Sequence, residues 1–279
     1  MGCNNVALRA VFGDASFPWG LAGLRMRARG LPVAISRAAQ ETQMANRPSP
    51  SPRGMPQRQG MWLQMRVWDG PVRLFHWVLV ALVLTSWISV EFVGNMRVHM
   101  LAGETLLALL LFRLVWGFVG SDTARFARFL KSPFAALRHL MHFGKREPDT
   151  VIGHNEAGGW MVLVLLLVLL AQVATGLIVN NEDSFVEGPL ARLVGSEWGA
   201  WALTQHHRIF KVIQILVLAH VAAVILYAVV KRHDLVRPMI TGKKRLPAAT
   251  PQPRMASPIL AGAILVVCCA LVWALLNLT

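Results

Sequence analysis

Five runs of about twenty mostly apolar residues, near 72–90, 100–119, 159–179, 205–231 and 258–278, constrain this chain more than anything else in it. Each has the length a helix needs to cross the hydrocarbon of a bilayer, where only helices or closed barrels satisfy every backbone polar group. The runs are continuous rather than alternating, which predicts spanning helices and an all-α integral membrane fold. With 55% of the 279 residues hydrophobic, the composition is that of a membrane protein.

The net charge of +14 would suit a nucleic-acid binder, but its distribution points elsewhere. Ten Lys or Arg residues lie in 1–73, six in 121–153 and seven in 231–257, against Arg97 alone in 91–98 and Arg192 alone in 180–205. Basic loops stay cytoplasmic, so the pattern predicts a cytoplasmic N-terminus, an outward C-terminus and no nucleic-acid partner. The first, third and fifth helices then run outward, and the second and fourth inward.

Residues 1–60 are rich in Arg, Pro and Ser and hold no apolar core of a signal peptide, so they read as a disordered cytoplasmic tail. Met44, Met55 and Met61 precede the first span, so an upstream start codon would explain the tail equally well. MGCNNV lacks the Ser or Thr at position six that myristoylation prefers. The domain reading is therefore a tail over 1–60, a four-helix domain over 61–245, and a linker with a fifth helix over 246–279. Between the second and third spans, Ser132 and Pro133 open a short amphipathic helix through Leu140. Phe126, Phe129, Phe134 and Leu137 of this stretch, interleaved with basic residues, suit the inner interface and contact with membrane lipid.

Histidines carry the chemistry. Cys3, Cys268 and Cys269 form neither CxxCH nor CxxC, which leaves histidine as the metal ligand. His206 and His220 are fourteen residues apart, about 40° short of four turns and roughly 21 Å in rise, so they leave one helix face at two depths. His207 would stand roughly 140° away from His220, which favours His206 as its partner. His76 lies near the cytoplasmic end of the first helix and His99 at the outer end of the second. Depth then pairs His99 with His206 outside and His76 with His220 inside. Two bis-histidine sites stacked in a four-helix bundle are what two b-type haems (iron) require. Structural histidines bonded to neighbouring helices are the plainer alternative.

Arg113 follows His99 by fourteen residues and needs an anion. Haem propionates would serve, with Arg73 near the inner site and Arg208 and Lys211 near the outer one. Pairing with Glu104, or extension to the interface, would serve Arg113 equally. His154 either caps the third helix or lines a quinone pocket, His139 and His142 are solvated, and His233 reaches out from a basic turn. Gly103, Gly117, Gly158, Gly159 and Gly176 allow haem faces or helices to approach. The outer loop holds Glu182, Asp183, Glu187 and Glu197 against Arg192. These acids either steer a basic electron carrier to the outer haem or are merely solvated.

VWDGPVRLFHW, HMLAGETLLALLLFRLVWGFVGS, GHNEAGGW with the following TGL, GPLARL and AHVAAVILYAVVKRHDLVRPMITGKKR together resemble the bacterial cytochrome b561 family. That group includes the b-type cytochrome subunits of nickel-iron hydrogenases and the gamma subunit of formate dehydrogenase. The resemblance covers about 67–245. It implies two haems b, axial ligands at His76, His99, His206 and His220, a bacterial inner-membrane location, and electron exchange between quinone and a periplasmic partner. A c-type cytochrome is the expected partner; a hydrogenase or dehydrogenase for which the chain is the anchor subunit, and superoxide-consuming quinone reduction, are the alternatives. Any enzymatic activity would be that of a quinol or quinone oxidoreductase component. The doublet His206-His207 departs from the family's single histidine, and the fifth helix and N-terminal tail lie outside the resemblance. Outside this class, a histidine-lined metal transporter fits poorly, since hard cations take carboxylates and only Glu104 lies well within a span.

Overall fold

The computed structural model describes residues 61–142, 144, 148–181 and 186–277. The tail, Cys3, Glu182, Asp183 and the side chain of His139 lie outside the described residues. The helices are α1 Gly70–Glu91, α2 Met96–Val119, α3 Phe126–Phe129, α4 Pro133–Met141, α5 Glu156–Leu177, α6 Ser196–Leu226, α7 Val236–Thr241 and α8 Pro258–Leu276. Of these α1, α2, α5, α6 and α8 are long and apolar enough to cross a membrane. The chain is thus a multi-pass helical membrane protein, with the five spans expected.

Polar residues at the span ends start the helices. Asp69 caps α1 by accepting from the Val72 N–H at 2.7 Å, Asn95 caps α2 through Val98, and Asn155 caps α5 through Gly158 at 2.7 Å. Ser257 caps α8, and Pro71 and Pro258 occupy first-turn positions where no N–H is missed. α2 is the central helix: α1, α5 and α8 all pack on it, and α6 packs on α5. Trp116 and Leu110 of α2 are fully buried, while Ile215, Leu218, Val221 and Ile225 of α6 face outward, as lipid-facing residues do.

Four features differ from the sequence expectation. First, the helical bundle carries two short antiparallel strand pairs. β1 Trp62–Arg66 pairs with β4 Lys243–Pro247 (Arg66 opposite Lys243), and β2 Asn180–Asn181 pairs with β3 Val186–Glu187. The first pair ties the segment before α1 to the segment after α6, so those two ends lie at the same end of the bundle. Second, α6 starts at Ser196 rather than near 205, so His206 lies about 15 Å along the helix from its start. The added turns carry exposed Trp198 and Trp201, residues suited to a membrane–water interface. Third, α6 ends in a π-helical turn, Tyr227–Lys231, with Arg232 in the left-handed conformation at φ 57°. Fourth, the fifth span belongs to the common core, where Ala261, Cys268 and Val272 are buried. Its approach is pinned by Asp122, which exchanges bonds with the Arg254 backbone at 3.0 Å, and by Ser121, whose Oγ accepts from Ala256. The Arg254 N–H, then the charges of Arg128, Arg254 and Arg125, hold the Asp122 carboxyl below its usual range.

Candidate histidine-paired metal centre

At one end of the bundle, α1, α2, α5 and α6 bring His99 and His206 together, ring centres 6.0 Å apart and planes at 76°. His99 Nδ1 lies 2.9 Å from the Ser86 carbonyl, and His206 Nδ1 lies 3.0 Å from the Gln172 carbonyl. A carbonyl only accepts, so both Nδ1 atoms carry the proton and both lone pairs sit on Nε2. This is the arrangement of metal-binding histidines, whose second nitrogen is held by a backbone carbonyl. Metal–nitrogen bonds of about 2.0–2.1 Å, plus roughly 1.1 Å from each nitrogen to its ring centre, separate two opposed imidazoles by about 6 Å. The observed spacing fits a metal held between the rings. Gly176 makes room for His206 on α5: a Cβ there would stand 2.9 Å from His206 Cε1. On α2, one turn from His99, Gly103 faces open space. The Gln172 side-chain amide donates to His206 Nε2 at 3.0 Å, and its own Oε1 is buried without a partner. A metal held at Nε2 would take the place of an amide that is only half satisfied.

His207 is exposed and points away, its ring 6.5 Å from that of His206. Helical phase selected the histidine that meets His99. Arg208 and Lys211 are exposed on the same helix.

At the other end, His76 on α1 and His220 on α6 are both half-buried and lie within each other's electrostatic reach. His76 Nδ1 is buried without a hydrogen-bond partner, and its ring meets Trp77 edge-on at 4.9 Å. Arg113 is 2% exposed. Its Nη2 donates to the Ala124 carbonyl at 3.3 Å, its guanidinium lies over Phe126 at 5.0 Å, and Nη1 has no partner. The anion acting on it is Asp69, not Glu104, and it does not reach the interface. Asp69 itself accepts from Trp116 Nε1 at 3.0 Å. Arg73 donates to the Ile240 carbonyl, leaving Nε buried and unpartnered.

His154 does not cap α5; Asn155 does. His154 instead lies between Trp68 and Phe129, ring centres 4.6 and 4.7 Å away. Burial first, then the charges of Arg113 and His220, pushes its pKa down to about 3. His233 does not simply extend to solvent: its Nδ1 stands 3.9 Å from Asp149, which also takes the Lys244 ammonium at 2.6 Å. Among the described residues no three His, Cys, Asp or Glu side chains converge on one point. Sequence reasoning missed Ser86, Gln172 and Asp69. The available signal was their isolation: Gln172 is the single amide in the α5 span, and a polar group in hydrocarbon needs a partner.

A multi-pass helical bundle with histidines from different helices facing each other defines the class of integral-membrane b-type cytochromes. Residues 67–242 match the family described as prokaryotic cytochrome b561, and the chain belongs to that family. Haem b is therefore its cofactor and membrane electron transfer its function. Among curated relatives, a probable Ni/Fe-hydrogenase B-type cytochrome subunit of Rhizobium leguminosarum bv. viciae is 26% identical over 211 residues, covering 64% of this chain and 87% of the relative. A protein of the same description from Bradyrhizobium diazoefficiens is 25% identical over 210 residues, covering 64% and 85%. No solved structure matches the chain significantly.

Proposed function

We propose that the chain carries electrons across the bacterial inner membrane through two haems b, the outer held by His99 and His206 and the inner by His76 and His220. The observation that carries this reading is the His99–His206 pair, with both Nδ1 atoms fixed on carbonyls and a second α6 histidine fourteen residues further along the same face. Haem iron, when bound, supplies a site that accepts and releases one electron at a time. The protein's part is to hold each imidazole neutral with Nε2 directed inward, to exclude water with the α1, α2, α5 and α6 walls, and to answer propionate charge. Arg113, with its unpartnered Nη1, and Arg73, with its unpartnered Nε, are the inner candidates. Arg208 is the outer one.

On the inner side the electrons exchange with quinone, and His154, in its aromatic slot beside Arg113 and His220, borders that site. On the outer side the family relatives' descriptions favour a hydrogenase-type partner over a soluble c-type cytochrome, which the exposed Glu187 and Glu197 nonetheless suit. The N-terminus is cytoplasmic and the C-terminus periplasmic. A pyridine-haemochrome assay on the purified chain should give two haems per chain. His220→Ala should remove one haem and His99→Ala the other. A colourless preparation from haem-replete cells, or loss of the same haem in both variants, sinks the assignment. Hydrogen-dependent reduction of the haems in native membranes separates the hydrogenase partner from the cytochrome partner.

A further inference from the structure

Beyond the histidine pairs, the end of the bundle where α6 finishes holds an open hollow of about 530 Å³ between the Arg232–Pro238 segment and β4. Its lining includes Arg232, Arg237, Lys243, Lys244 and Arg245 against Asp149 and Asp234. Both carboxylates are already engaged. Asp149 takes Lys244 and faces His233, and Asp234 accepts the N–H groups of Val236 and Arg237 at 3.1 and 3.0 Å. Among the described residues, the ion pairs leave the side chains of Arg232, Arg237, Lys243 and Arg245 without a carboxylate.

Two backbone features hold these charges together at a cost. Arg232 takes up φ 57°, a conformation that residues with a side chain adopt rarely, and its left-handed turn redirects the chain into the hollow. In the β1–β4 pair, Arg66 stands directly opposite Lys243, and both are exposed. Like charges directly opposite each other destabilise a strand pair.

The surroundings specify what kind of anion. α7, which carries Arg237, exposes Val236 (47%) and Ile240 (58%). Beside it α1 exposes Leu74 and Trp77, and the Trp77 indole N–H donates to the Met239 carbonyl at 3.4 Å. The cationic hollow therefore adjoins, through Arg237 of α7, an exposed apolar strip at the end of the α1 span. That is the shape of an amphiphile with a negatively charged phosphate head.

We propose that this hollow binds the phosphodiester headgroup of an acidic phospholipid, with Arg232, Arg237, Lys243 and Arg245 as its ligands and its acyl chains along Trp77, Val236 and Ile240. The test uses the full, haem-loaded chain in nanodiscs of zwitterionic phosphatidylcholine, titrated with a short-chain phosphatidylglycerol. Affinity is expected to fall about five-fold for each cation removed, hence about 25-fold in the Lys243→Gln/Arg245→Gln double variant. Arg232→Gly removes a cation while relieving the positive φ, so it should weaken lipid binding about five-fold yet unfold no earlier than the parent in phosphatidylcholine. Haem absorbance per chain reports that each variant is folded. Unchanged affinity in Arg232→Gly overturns the proposal, as does equal binding of short-chain phosphatidylcholine. If inorganic phosphate competes as well as the lipid at equal concentration, the hollow is a site for soluble anions and the lipid assignment falls.

Discussion

Asp69→Asn is the most informative single substitution outside the histidines. The Asp69 carboxylate is 3% exposed and does three things at once: Oδ1 caps α1 at Val72, Oδ2 accepts from Trp116 Nε1, and its charge answers Arg113. Asparagine retains an oxygen for the cap but turns a donor toward the Trp116 indole. A buried indole N–H without an acceptor costs about 1–3 kcal/mol. Asp69 acts on Arg113 from beyond ion-pair distance, so losing its charge adds less than the cost of breaking a buried contact pair. The two losses share one network and do not add fully, so we expect about 1–3 kcal/mol in all. Asp69→Ala should lose about 1 kcal/mol more, because the cap goes as well. Unfolding of the detergent-solubilised protein, followed by haem absorbance against denaturant, measures both. An Asp69→Asn variant within about 0.5 kcal/mol of the parent would refute the reasoning.

Three further outcomes are expected. His206→Ala should abolish the outer haem spectrum while His207→Ala leaves it near native; the reverse would mean that the doublet exchanges roles when haem is bound. Acid stability should depend on His154: its folded pKa of about 3 lies below the unfolded 6.5, so the unfolded chain binds the extra proton between those values, and stability is lost as pH falls from about 6.5 toward 3. His154→Phe should flatten that limb in a pH series of unfolding midpoints, and an unchanged slope would assign it to other groups. Neutralising Glu187 and Glu197, together with Glu182 and Asp183 beyond the described residues, should slow reduction of a basic c-type cytochrome at low salt and reduce the ionic-strength dependence while both haem spectra stay intact. An unchanged rate and salt slope would remove the docking role of the loop.

The spans were legible because hydrocarbon imposes a length and a composition that few other folds share. The pairing of His99 with His206 was legible because helical phase is fixed by geometry, and the fourteen-residue interval to His220 left only one member of the doublet on the right face. What the sequence concealed were partners that carry no residue-type signature. The groups that orient His99 and His206 are backbone carbonyls, of Ser86 and Gln172, and every residue has one. Asp69 reads locally as a helix cap, and its contact with Trp116, 47 residues on, exists only once α1 and α2 have packed. The early start of α6 was hidden by Trp198, Gly199 and Trp201, which suit a loop in isolation and a helix only at an interface. The β1–β4 pair joins segments about 180 residues apart, and no local pattern in either predicts the other.

The same geometry explains why the fifth span can sit beyond the family match, which ends at 242, and still be part of the core. α8 packs on α2, where Val115 borders a cleft with Ile264, Val267 and Cys268 of α8. Val115 follows His99 by sixteen residues, which places it about 160° around the helix from the histidine. α8 therefore covers the back of α2, while α1, α5 and α6 surround the face that carries His99. Both candidate pairs draw their histidines from α1, α2 and α6 alone. α5 contributes no histidine, but it contributes the Gln172 carbonyl and the Gly176 clearance that set His206 in place. The division of labour is thus by helix face: one side of α2 serves the histidine pairs, the other is closed by a span whose Ala261, Cys268 and Val272 supply packing and no ligand.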